Sequence, residues 1–295
     1  MPIRLTGLSS GLDTESIISA LVSSYSYKTD KYKKAQTKLS WKQDAWKSLN
    51  TKVYSLYTSL DSMRFSKNYN MKSTSVSDST KAKVTASNNA PNGTQKLNIL
   101  QIAQAGYLTG AKLDSDVTKK TTMEQLGYTN DEGKINLEMG DGTTKSIAVS
   151  KSTTVDEFLT ELQDAGLNAN YDTTNQRFYI SSSDTGKDKD FTLTGTDEAG
   201  KSALSKLGLD ISATTDAYKV NGQNAIITLN GIQYEGSTNA FTINGLNIEA
   251  QAATGSGDSN AVLITTKTDT QGVYDKVKEF FTQYNSLINE LTSLY

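Results

Sequence analysis

Apolar residues recur every seven positions between Lys28 and Ser66: Tyr32, Leu39, Trp46, Val53 and Leu60. A second row three residues later holds Ala35, Leu49, Leu56 and Met63, broken only by Lys42. No Gly or Pro interrupts the stretch, so it predicts one long helix with an a/d seam. A lone helix of that length cannot bury its own stripe, so the pattern also predicts a partner. At the far end of the chain, Val277, Phe281, Tyr284, Ile288, Leu291 and Tyr295 alternate in steps of four and three. The two segments, 28–70 and 271–295, are expected to pair as an antiparallel coiled-coil leg.

Ahead of the long helix, Gly7-Leu-Ser-Ser-Gly11-Leu-Asp13 precedes a short apolar stripe of Ile17, Ile18, Leu21, Val22 and Tyr25. Asp13 or Thr14 can cap it. The stripe is too short to persist as a helix by itself, so residues 1–27 are expected to form a flexible terminal segment. Leu8, Leu12, Ile17, Ile18, Leu21 and Val22 are its candidate contacts with a partner chain.

Between the helical ends the period changes from helical to alternating. Asn88-Asn-Ala-Pro91-Asn-Gly93 reads as a turn and Lys96 to Ile102 as a half-buried strand, together predicting a hairpin. Ala225–Leu229 and Ile232–Tyr234 flank Asn230-Gly231, and Phe241–Ile243 and Leu246–Ile248 flank Asn244-Gly245; both suit type I′ hairpins. Val262–Thr265 is a last strand. Inside this β-rich part (71–112 with 216–270), residues 113–215 read as an inserted α+β unit. Its elements are a hairpin at 134–149, a helix capped by Thr153 or Thr154 and ended by Gly166, strands at 168–172, 177–181 and 191–194, and a short helix from Ser202 to Leu207 closed by Gly208. The predicted fold class is therefore α+β and multidomain, a helical leg carrying a β-rich domain with a nested α+β domain.

Composition narrows the chemistry. The 295 residues include neither Cys nor His, which removes thiol nucleophiles, disulfides and the commonest general base and metal ligand. No cofactor or metal site is expected. Gly142-Thr-Thr-Lys-Ser146 lacks the phosphate-loop spacing, and the acidic loops at 129–133 and 184–190 lack calcium-loop spacing. No apolar run reaches membrane-spanning length, and no apolar core with a cleavage site marks a Sec-type leader. The net charge of −2 hides an asymmetry. Lys28 to Lys72 holds 11 basic and 3 acidic residues, whereas 113–213 holds 18 acidic and 10 basic. The lysines mostly avoid the a/d rows, which predicts a solvated helix face or contact with an acidic protein surface rather than nucleic acid.

The opening Gly7–Asp13 motif followed by a long heptad helix resembles the flagellar filament cap family, hook-associated protein 2. Leu97-Asn-Ile-Leu-Gln-Ile-Ala-Gln104, Ile243-Asn-Gly-Leu246 and Tyr284-Asn-Ser-Leu-Ile288 are similar to further stretches of that family. The resemblance implies a non-enzymatic assembly factor secreted through the flagellar export apparatus, a homo-oligomeric ring at the filament tip that helps flagellin polymerise. The implied partners are itself, flagellin and a flagellar export chaperone. The alternative is a surface adhesin whose inserted domain binds a host glycan or protein.

Overall fold

The computed structural model describes residues 13–211 and 216–294. In chain order, α1 (Thr14–Met63) is followed by a single 3-10 turn at Ser66–Asn68, then by β1 (Lys72–Val76), β2 (Ala82–Ala86), β3 (Gly93–Gln101) and β4 (Tyr107–Thr109). Next come β5 (Gly133–Met139), β6 (Thr144–Val149), α2 (Val155–Asp164), β7 (Leu167–Asp172), β8 (Arg177–Ser182), β9 (Phe191–Gly195) and α3 (Glu198–Lys206). The chain continues through β10 (Tyr218–Val220), β11 (Ala225–Leu229), β12 (Ile232–Gly236), β13 (Ala240–Ile243), β14 (Leu246–Ala250) and β15 (Val262–Thr268), and α4 (Thr270–Leu294) follows. This is a multidomain α+β chain that separates into two compact units, 1–69 with 270–295, and 70–269.

In the helical unit, α1 is continuous from Thr14 and is capped by Asp13, whose carboxylate accepts from Ser16 N–H at 3.0 Å. The expected break between 27 and 28 is absent. With no Gly or Pro after Asp13, the first turns extend an existing helix, and nucleation is required only once. Residues 14–27 are therefore helix rather than a separate flexible segment, while residues 1–12, including Leu8 and Leu12, lie outside the described residues. The helix ends at Met63, a few residues before the expected end of the leg segment at 70. α4 runs antiparallel to α1: Lys276 donates to Asn68 Oδ1 at 2.7 Å, and farther along Ser48 donates to Glu290 Oε1 at 3.2 Å and Lys52 pairs with Glu290.

Unit 70–269 holds two hydrophobic cores. The first lies between a five-stranded sheet, β1-β15-β3-β11-β12, and a three-stranded sheet, β13-β14-β2. Leu97, Ile99, Ile227, Ile264, Leu246 and Ile248 fill it. Both Asn-Gly hairpins form as expected, with Asn230 and Gly231 at φ 51° and 85° and Asn244 and Gly245 at 47° and 78°. The expected hairpin at 88–93 does not form. β2 pairs with β14 and β3 with β15 and β11, so that turn carries the chain from one sheet to the other. Ser87 N–H donates to Gly245 O at 2.7 Å and draws the turn onto the β13–β14 loop instead.

The second core joins the sheets β10-β4-β8-β7 and β6-β5-β9 to α2 and α3. The apolar face of α2 (Val155, Phe158, Leu159, Leu162) is buried. Thr154 and Glu157 form a reciprocal capping box at its start, so Thr154 rather than Thr153 is the cap. α3 begins four residues earlier than its apolar pattern suggests, because Asp197 caps it by accepting from Gly200 N–H. β4 and β10 pair within this sheet and Leu108 enters this core. The layered unit thus reaches beyond 113 and 215 on both sides.

Candidate assembly surfaces

α4 covers only one face and one part of α1. Leu49, Leu56 and Met63 of the second heptad row are half-buried there. On α4 the covered side presents Val273, Val277, Phe280 and Leu291 half-buried and Leu287 at 8% exposure. The first heptad row points elsewhere. Tyr32, Leu39, Trp46, Val53 and Leu60 are all exposed, Trp46 at 70%. Phe281, Tyr284 and Ile288 are exposed as well. The expected seam therefore does not come together as a whole within the chain. Leu49, Leu56, Val277 and Leu291 lie on the covered sides, and the other eight predicted packing residues do not. One of the two predicted α4 rows is out by one position: Phe280 and Leu287, in line with Val273, take the covered places expected for Phe281 and Ile288, while Val277 and Leu291 of the other row keep theirs.

The molecule consequently displays apolar faces that have no cover among the described residues. Ile17, Ile18, Leu21 and Val22, the described members of the candidate partner contacts, are exposed on the first turns of α1. Farther along, Trp46, Val53, Tyr57 and Leu60 repeat in steps of seven, four and three, which places them on one side of the helix. Clustered apolar surface of this kind marks an interaction site more often than scattered exposed residues do.

The connection between the two cores is a narrow neck. Gln104 and Gln223 form an isolated antiparallel bridge, each backbone N–H donating to the other's carbonyl at 2.9 and 3.0 Å. Beside it, Lys219 Nζ lies 2.5 Å from Asp190 Oδ1, and its ammonium stands 4.5 Å from the centroid of the Phe191 ring. The 184–190 loop of the second core latches onto the first. Thr185 donates to Ser237 O at 2.6 Å, and Lys187 N–H donates to Asn224 Oδ1 at 2.8 Å. Gly140 is required in this region, because a Cβ there would lie 1.9 Å from Lys187 O.

Two titratable groups of the second core serve its architecture. Burial pushes the Tyr171 phenol up to about 12, and its OH donates to Gln176 Oε1 at 2.5 Å, tying the β7–β8 turn to the core. Hydrogen bonds from Thr154 hold the Glu157 carboxyl below its ordinary value. Among the described residues, no group of three or more acidic side chains is placed to hold a metal ion, and no helix is long and apolar enough to cross a membrane.

Comparison with known proteins adds to this picture. Curated relatives include flagellar hook-associated protein 2 of Halalkalibacterium halodurans, 24% identical over 99% of this chain and 59% of the relative. The A-type flagellar hook-associated protein 2 of Pseudomonas aeruginosa is 25% identical over 98% of this chain and 63% of its own length. The chain thus spans about three-fifths of the length of these relatives. The crystal structure of the D1-D2-D3 domains of the flagellar cap protein FliD from Escherichia coli shares the fold at a TM-score of 0.61 and 24% identity, covering 85% of this chain and 70% of that one. The D2-D3 domains of the same protein match at a TM-score of 0.52 and 25% identity, over 67% of this chain and all of that one. Two family profiles match, flagellar hook-associated protein 2 N-terminus over residues 10–106 and flagellar hook-associated protein 2 C-terminus over 222–295. The interval between them begins and ends at the Gln104–Gln223 neck, and together they cover more than half of the sequence, so the chain belongs to the flagellar hook-associated protein 2 family.

Proposed function

We propose that this protein is a structural, non-enzymatic assembly factor that caps the distal end of the bacterial flagellar filament and promotes flagellin polymerisation. It works as a homo-oligomeric ring, is exported by the flagellar secretion apparatus with the help of an export chaperone, and meets flagellin at the tip. Family membership supports this reading. The structural observation that carries it is the apolar face on α1, Trp46, Val53, Tyr57 and Leu60, left uncovered beside a helix pair. A face of that kind is suited to helices of neighbouring subunits. The adhesin alternative draws no support from the comparisons.

The test is complementation of a strain that lacks its own cap protein. The wild-type gene is expected to restore filaments and retain flagellin. A Trp46→Asp, Val53→Asp variant is expected to fold, because both positions are exposed, yet to release flagellin into the medium. Filament growth equal to wild type with that variant would remove this face from the assembly role. Failure of the wild-type gene, with secretion intact, would remove the cap reading itself.

A further inference from the structure

We propose that the lysine face of α1 docks against the acidic outer face of α2 in a second copy of this chain, with the two helices antiparallel. Lys31, Lys34 and Lys38 follow one another at steps of three and four, so they lie along one side of α1 between Tyr27 and Trp41. All five are exposed, and no carboxylate pairs with these lysines among the described residues. The polar links from α4 reach Ser48, Lys52 and Asn68, farther along α1. The nearest negative charge on the same helix is Asp30.

α2 presents the matching pattern. Its inner side is committed to the core, and its outer side carries Glu157, Glu161 and Asp164 at steps of four and three. Read in opposite directions, the spacings coincide: Lys38 meets Glu157, Lys34 meets Glu161 and Lys31 meets Asp164. Each set spans about 10 Å of helix axis. Local partners use part of the acidic face: Glu157 accepts from Thr154 N–H and Glu161 pairs with Lys145 at 2.9 Å. The face stays net negative, and Asp164 has no ion pair among the described residues.

A second copy is the occupant because the chain carries both halves of the match. The excess positive charge of 28–72 and the excess negative charge of 113–213 are of equal size. Two different patches in contact make a heterologous, head-to-tail interface, which closes into a ring when the rotation allows it. Single exposed ion pairs contribute little, so the contact acts through alignment, orientation and encounter rate, and salt screens it. The inference rests on the self-association contained in the proposed function and assigns a contact to it.

The experiment measures self-association of the chain by sedimentation at low and high salt for four samples. They are the wild type, a Lys31→Glu, Lys34→Glu variant, a Glu161→Lys, Asp164→Lys variant, and an equimolar mixture of the two variants. Circular dichroism confirms that each variant is folded. Wild-type association is expected to weaken roughly tenfold or more on raising the salt. Each variant alone should be weakened to a similar extent at low salt, and the mixture should recover, since each reversed face then meets its complement. Variants that associate like wild type, or a mixture of folded variants that does not recover, would overturn this contact and leave the ring reading standing. A change in monomer shape without a change in association would place the pairing inside one chain and also overturn it. No self-association of the wild type at any salt would overturn both readings.

Discussion

In the unit spanning 70–269, Leu97, Ile99, Phe158 and Phe178 are fully shut off from water; in the helical unit, aromatic residues as large as Trp46 and Tyr32 stand almost bare. Both regions are written with regular apolar periods, and they differ in what closes the period. A strand with one apolar face meets a second sheet or a helix of its own unit. A two-helix pair has one line of contact, and any second apolar row on either helix must find cover elsewhere. Burial in the first case specifies a fold, and exposure in the second specifies a need for company. That is the arrangement expected of a part made for a larger assembly.

The sharpest way to break this comparison is to remove the second core altogether. Joining Gln104 to Gln223 through a short Gly/Ser linker excises residues 105–222 where the two chain connections already touch. The first core is expected to keep a single cooperative thermal transition, because its sheets use no strand from the excised part. A molten product, lacking near-ultraviolet dichroism, would show that the cores depend on each other.

A smaller effect tests the helical unit against its own surface. Leu287→Ala removes its most buried leucine and is expected to cost roughly 2–3 kcal/mol, read as loss of helical ellipticity in urea. Trp46→Ala deletes a larger side chain at an exposed site and is expected to shift stability by no more than about 0.5 kcal/mol. Equal losses would mean that the isolated chain already covers its first heptad row in solution.

The smallest effect concerns α2. Thr154→Ala is expected to cost about 1 kcal/mol through loss of the capping box. Glu157 adds a pH dependence whose direction follows from its lowered folded pKa. Its contribution is present above the ordinary glutamate value of 4.5 and is lost as the pH falls through the lower folded value. Glu157→Gln should flatten that part of a urea-midpoint profile between neutral and acid pH, and an unchanged profile would show that the carboxylate does not anchor the helix.

Local chemistry was the most legible part of the sequence. Asn230-Gly231 and Asn244-Gly245 announce positive φ, which few other pairs tolerate, and Thr154 with Glu157 announces a helix start. Tertiary choices were less legible. β4 and β10 are three residues each, too short to show a period, so their membership of the second core was invisible. The residues around Asn88 read correctly as a turn, yet the sheet each flanking strand joins is set by distant partners. In the helices the period was plain and the phase was not. Phe280-Phe281 and Leu287-Ile288 are adjacent apolar pairs, and either member can satisfy a heptad until the opposing helix selects one. The same ambiguity explains why the candidate packing residues were partly misplaced while the helices themselves were found.

The Gln104–Gln223 bridge has a mechanical consequence. Two covalent strands leave the first core side by side and enter the second, so a pull on the second core is shared between two backbones in parallel. The cross-strand hydrogen bonds lie across the direction of tension and need not break to carry it. A sideways push acts differently, with the neck as fulcrum and the Thr185–Ser237 and Lys187–Asn224 contacts as a stay on one side. The joint is therefore expected to be stiff in tension and to yield first in bending, away from the side where the latch is fastened.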